Sequence, residues 1–183
     1  MQPLWSTFTV GDTSLLSHTP GDPKPDFVPG DGLTHVPDRA ELVGSEDRPG
    51  VRLSYGEEIC AVTVHPESDR RARLIYEAAS VSGFPVKGHA TLVVDHKEPV
   101  RFSSGTLVTL EETQLDQPFA DDGWIEQGGW RLTIPEGGRL IWPVLPHNPY
   151  RKGGESRPSE ARMVVEMPFS KEERRYELVL EMV

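Results

Sequence analysis

The closing run Arg174-Arg175-Tyr176-Glu177-Leu178-Val179-Leu180-Glu181-Met182 repeats with period two. Tyr176, Leu178, Leu180 and Met182 fall on one side of an extended chain and Arg175, Glu177 and Glu181 on the other, which is how a strand covers a core and faces water. Moving back through the chain, comparable short runs bounded by Gly, Pro, Asp and Ser recur at Arg162–Met167, Arg139–Leu145, Gly129–Ile134, Thr106–Glu111, His89–Asp95, Glu58–Val64 and Val51–Tyr55. Strands of this length and number bury their apolar faces by pairing two sheets or closing a barrel. The expected fold is therefore all-β, an antiparallel β-sandwich or jelly roll.

Pro66–Ser80 is harder to read, because it holds good helix formers after a proline while Leu74, Tyr76 and Ala78 alternate. It is taken as a strand, since it feeds a turn region at Gly83, Pro85 and Gly88. Two hairpins are expected. A turn at Gly128–Gly129 sets Gln127 opposite Trp130 and Glu126 opposite Arg131, giving a cross-strand ion pair on the solvent face. A second turn at Pro135–Gly138 joins Trp130, Leu132 and Ile134 to Leu140, Trp142 and Val144 on one inner face. The predicted core comprises Leu132, Ile134, Leu140, Trp142, Val165, Leu178 and Leu180.

The N-terminal part differs. Residues 1–10 read as a first strand, with Leu4, Ser6, Phe8 and Val10 alternating with Trp5, Thr7 and Thr9. Gly11–Gly50 then carries six Pro, six Gly and six Asp, a composition that opposes long regular structure. The chain is expected to be one domain over 1–183: a first strand at 1–10, a long irregular Pro/Gly-rich surface arm at 11–50, and the main sandwich at 51–183. Phe27, Val28, Leu33, Val36, Leu42 and Val43 supply the arm with apolar anchors.

Nineteen basic against 29 acidic side chains leave a net charge of −10, which repels phosphate backbones and anionic surfaces and argues against nucleic-acid and membrane partners. Met1–Val10 has neither a basic start nor a sustained apolar stretch, so a cytoplasmic setting is expected. Cys60 is the only cysteine and lies in an apolar run, which suits a core thiol and leaves no partner for an internal disulfide.

None of the six histidines shows the spacing of a metal site, so no metal and no cofactor are expected. Asp95 and His96 converge only if the chain turns between them. Arg52-Leu53-Ser54-Tyr55-Gly56 lacks the first glycine of a nucleophile elbow. Ile134-Pro135-Glu136-Gly137-Gly138-Arg139-Leu140 is similar to the second half of the cupin pattern, and Gly83 and His89 stand at the first motif's offset. That resemblance implies a jelly roll without the metal, because Leu140 and Thr91 occupy positions where the pattern has histidines.

The candidate ligand site is built on aromatics in polar settings. Trp124, read as part of a polar loop, and Tyr150 would form a platform at one end of the sandwich, with Asp121, Asp122, His147, Asn148 and Arg151 supplying hydrogen bonds to a carbohydrate or a protein surface. The expected function is a non-catalytic binding or accessory module. The alternatives are an assembly protein whose 11–50 arm makes homo-oligomer contacts, and a cupin-like or hydrolytic enzyme with an incomplete signature.

Overall fold

The computed structural model describes residues 7–10, 13–17, 27–29, 37–79, 86–146, 150–154 and 156–183. The elements in chain order are β1 (Thr7–Val10), β2 (Thr13–Ser17), β3 (Phe27–Pro29), β4 (Arg39–Ser45), β5 (Arg48–Tyr55), β6 (Glu58–Ser68), β7 (Arg71–Ala79), β8 (Val86–Leu92), β9 (Val100–Phe102), β10 (Leu107–Val108), β11 (Leu115–Pro118), β12 (Gly123–Gln127), β13 (Trp130–Ile134), β14 (Arg139–Val144), β15 (Arg162–Pro168) and β16 (Arg175–Met182). Two single-turn 3-10 helices, Lys152–Gly154 and Pro158–Glu160, sit between β14 and β15.

These strands form an antiparallel β-sandwich, as the alternating runs predict. One sheet has the order β10-β9-β12-β13-β16-β7-β6-β5-β4. The other runs β1-β2-β8-β15-β14-β11, with β3 also paired to β8. Inner-face residues of both sheets merge in one core, and Leu132, Ile134, Leu140, Trp142, Val165, Leu178 and Leu180 are all buried in it. The Trp142 indole is polar at one atom, and its Nε1–H donates to the Leu110 carbonyl at 2.9 Å, so the ring is buried without an orphaned donor.

The outer face of the nine-stranded sheet keeps the charges that alternate with the core residues. Arg73 bridges Glu67 at 2.5 Å and Glu177 at 2.8 Å, and Arg71 bridges Glu67 at 2.6 Å and Glu181 at 2.9 Å. The expected turn at Gly128–Gly129 forms with both glycines at positive φ (54° and 86°), the geometry a two-residue hairpin needs to match strand twist. Gln127 faces Trp130 and Glu126 faces Arg131, with the predicted ion pair at 2.8 Å.

Three expectations change. Pro135–Gly138 is not a hairpin turn: β13 pairs β12 and β16, whereas β14 pairs β11 and β15, so this turn carries the chain from one sheet to the other. The inner face is shared as predicted, but by packing across the sandwich. Trp124 lies in β12 opposite Thr133, because Trp124-Ile125-Glu126-Gln127 alternates once its partner strand is present. The segment expected to be an irregular arm contains β2, β3 and β4, and β5 begins inside it. Leu42, expected to anchor that arm, is 84% exposed on β4, while Leu33 and Val36 lie outside the described residues.

Among the described residues, Pro66–Ser80 resolves as the end of β6, a turn and β7. Cys60 is fully buried, and burial, followed by the nearby Glu58 charge, pushes its thiol up to about 12, so it stays neutral and unreactive at ordinary pH. No described helix is long and apolar enough to cross a membrane.

Candidate functional site

Strands β8, β15, β14 and β11 are neighbours, and their side chains alternate between the core and the far face of the seven-stranded sheet. Val86, Ala90, Leu92, Met163, Val165, Met167, Leu140 and Trp142 go to the core. The intervening positions therefore place Lys87, His89, Glu166, Arg139 and Asp116 on the other face. Register completes the arrangement, since Glu166 is directly opposite His89 on one side and Arg139 on the other. A row of five ionisable side chains crosses four strands.

Glu166 is its centre. One carboxylate oxygen, Oε1, lies 2.9 Å from Lys87 Nζ and 3.8 Å from Arg139 Nη1, while Oε2 is 3.5 Å from His89 Nε2. The last distance is an ion-pair approach at the outer limit of a hydrogen bond. Arg139 closes the outer end with a bidentate bond, Nε and Nη2 each donating to an Asp116 carboxylate oxygen at 2.5 Å. From β11 inward exposure falls, with the side chain of Asp116 59% exposed, that of Glu166 9% and that of His89 1%, while Lys87 beside His89 on β8 is half-exposed. Asp116 and Arg139 form the solvated end on β11 and β14, and on β8 the exposed Lys87 flanks the buried His89.

Burial alone would raise the Glu166 pKa by penalising the charged form. The His89 contact and then the Lys87 hydrogen bond outweigh it and hold the carboxyl at about 2. Asp116 is likewise held below the usual carboxylate range by Arg139. A largely buried carboxylate against a buried imidazole orients the ring, and an oriented imidazole is the arrangement a proton-transfer group needs.

The residues expected to form a site are distributed differently. Asp121 and Asp122 precede β12 and border a groove of about 670 Å³, where Asp122 Oδ1 accepts from the Glu136 N–H at 2.9 Å. Trp124 is half-buried on the outer face of β12, with the Arg131 guanidinium 4.4 Å above its ring. Tyr150 is 96% exposed, and Arg151 pairs with Glu160 at 2.9 Å, both beyond the C-terminal end of β14. Trp124 pairs with Thr133 on β13, two positions before the turn that opens β14, and Tyr150 follows the end of β14. His147 and Asn148 lie outside the described residues.

Other candidates resolve individually. His96 Nδ1 lies 4.0 Å from Asp95 Oδ1, across the turn such a contact requires. Ser54 sits inside β5, which continues by a hairpin into β6, so no nucleophile elbow forms there. Leu140 is a core residue, and Gly83 of the cupin-like offset is outside the described residues. Among the described residues, no three His, Cys, Asp or Glu side chains converge as a metal-binding group would.

Histidine spacing in the sequence gives no sign of a partner for His89, and no motif marks Glu166. The available signal was an ionisable residue inside an otherwise apolar strand, as in Met163-Val164-Val165-Glu166-Met167, where a charge is tolerated only with a partner.

No family profile and no curated protein matches the chain. Among solved structures, it is similar to a protein described as a "putative aldose 1-epimerase" from Escherichia coli K12, with a TM-score of 0.51 and 10% identity over 79% of this chain and 68% of that one. A GalM/aldose epimerase homologue from C. elegans is also similar, with a TM-score of 0.46, 10% identity and the same two coverages. The first likeness establishes a shared β-sandwich fold. The expectation of a non-catalytic binding module is corrected by the same likeness, since the fold is shared with a protein described as a "putative aldose 1-epimerase".

Proposed function

We propose that this chain is an enzyme acting on a cyclic aldose, with His89 as the proton-transferring group and Glu166 as the residue that positions it. The observation that carries this reading is the buried His89–Glu166 pair on adjacent strands, with Oε2 and Nε2 3.5 Å apart. The fold shared with a protein described as a "putative aldose 1-epimerase" supports the substrate class.

Inverting the configuration at C1 of a cyclic aldose requires three moves. The bond from C1 to the ring oxygen breaks, the C1 hydroxyl loses a proton, and the ring oxygen gains one; closure on the other face reverses each move. Groups that exchange protons near neutral pH serve this chemistry, and histidine is the side chain suited to it. Glu166, held at about 2, is too weak a base to take the proton itself and acts through His89. The exposed Lys87–Arg139–Asp116 rim offers donors and acceptors to the sugar hydroxyls. A cytoplasmic setting accords with a protein whose only cysteine is a buried, protonated thiol.

Exchange NMR on freshly dissolved aldoses, including glucose and galactose, tests the reading. The protein should accelerate anomer interconversion of at least one aldose in proportion to its concentration, and His89→Asn should lower that rate by about 100-fold or more. No acceleration across the aldose panel, or a variant as fast as the parent, contradicts the assignment.

A further inference from the structure

A second feature lies at the open edge of the sandwich, where the β9–β10 end of one sheet meets β11 of the other. The groove of about 670 Å³ occupies this gap. It is separate from the His89–Glu166 row, because Gln117 lines the groove while its neighbour Asp116 points to the opposite face of β11.

The groove has a prebuilt aromatic wall. The Phe119 N–H donates to the Gly138 carbonyl at 2.9 Å and its carbonyl accepts from the Gly137 N–H at 2.8 Å, which fixes its backbone to the inter-sheet turn. Its ring rests on the β12 backbone at Gly123, where a Cβ would stand 2.5 Å from Phe119 Cδ1. Only glycine admits that approach, so the ring is held in place before any ligand arrives. Opposite it, the Ser104 and Thr106 hydroxyls are linked at 2.9 Å in the turn that closes β9–β10. Asp121 and Asp122 complete the rim, and among the described residues no lysine or arginine lines the groove.

A rigid aromatic face, hydroxyl and amide groups, and two carboxylates without a cation form a surface suited to one chemistry. The C–H face of a pyranose stacks on the ring, its hydroxyls meet Ser104, Thr106 and Gln117, and the carboxylates favour a positive substituent and repel a negative one. We infer that this groove is a saccharide subsite that prefers amino sugars to neutral sugars and excludes uronic acids and sugar phosphates.

The test is an NMR titration of the full chain at mildly acidic pH with glucosamine, glucose and glucuronate. Backbone amides around Ser103–Thr106 and Phe119–Gly123 should shift with glucosamine, about fivefold more weakly with glucose, and not with glucuronate, at the scale of one partly exposed charge pair. Asp121→Asn should erase the preference for glucosamine over glucose while leaving the spectrum otherwise folded, and Phe119→Leu should weaken both sugars. Equal affinity for the three ligands, preference for glucuronate, shifts confined to other regions, or no shifts would each overturn the inference. Loss of this groove's binding would leave the anomer-exchange rate as a separate result, so the two readings fail independently.

Discussion

Glu166 shows how a single residue links position, charge and stability. Its pKa in the unfolded chain is the ordinary 4.5, and in the fold it is about 2. The unfolded chain therefore binds the extra proton first as the solution is acidified, and stability falls with pH in that interval. The contribution of this carboxylate is complete above about pH 4.5 and is lost progressively as pH falls through about 2. Glu166→Gln should cost about 1–3 kcal/mol at neutral pH, the lower part of the range reflecting the half-exposed Lys87 partner. Denaturant unfolding at several pH values should also show a shallower decline in the variant between pH 4.5 and 2. Equal slopes for the two proteins would show that Glu166 is not the ionised centre of the row.

At the scale of elements, Gln127 explains how β12 organises more than its own pairing. Its buried amide donates to the carbonyls of Asp95 at 2.8 Å and Glu98 at 2.9 Å and accepts from the Asp95 N–H at 2.9 Å, bracing the loop between β8 and β9. Gln127→Leu keeps the apolar volume but abandons all three bonds, which should cost about 2 kcal/mol. Amide exchange at Asp95 should quicken beyond the change seen in the core strands; unchanged protection there would refute the brace. Period-two patterning made β5, β6, β13, β14 and β16 legible in the sequence, because each has one buried face, while β15, buried on both faces, stood out as an apolar run. β9, at three residues, holds too few alternations to register, and the strand expected at Thr106–Glu111 shrinks to the two residues of β10. The Pro135–Gly138 turn shows a further limit: the pattern reports which side chains share a core, not whether the two strands pair within a sheet or pack across it.

At the scale of the molecule, a sandwich supplies two kinds of place for chemistry: the outer face of a sheet, and the gap where sheet edges diverge. The His89–Glu166 row is of the first kind and the Phe119 groove of the second. Neither was assembled by reading the sequence, although Asp121 and Asp122 were singled out. His89 and Glu166 are 77 positions apart and meet only through the β8–β15 register, which no local spacing encodes. Fold likeness at 10% identity carries the architecture and leaves the roles of these side chains to direct measurement. The central claim is that His89 and Glu166 act on the sugar as one unit, and a double-mutant cycle on anomer exchange measures that most directly. His89→Asn and Glu166→Gln should each slow the reaction, and the double variant should be no slower than His89→Asn alone, because Glu166 has no proton-transfer partner left to serve. Losses that multiply in the double variant would mean that the two residues work separately, and would contradict the account.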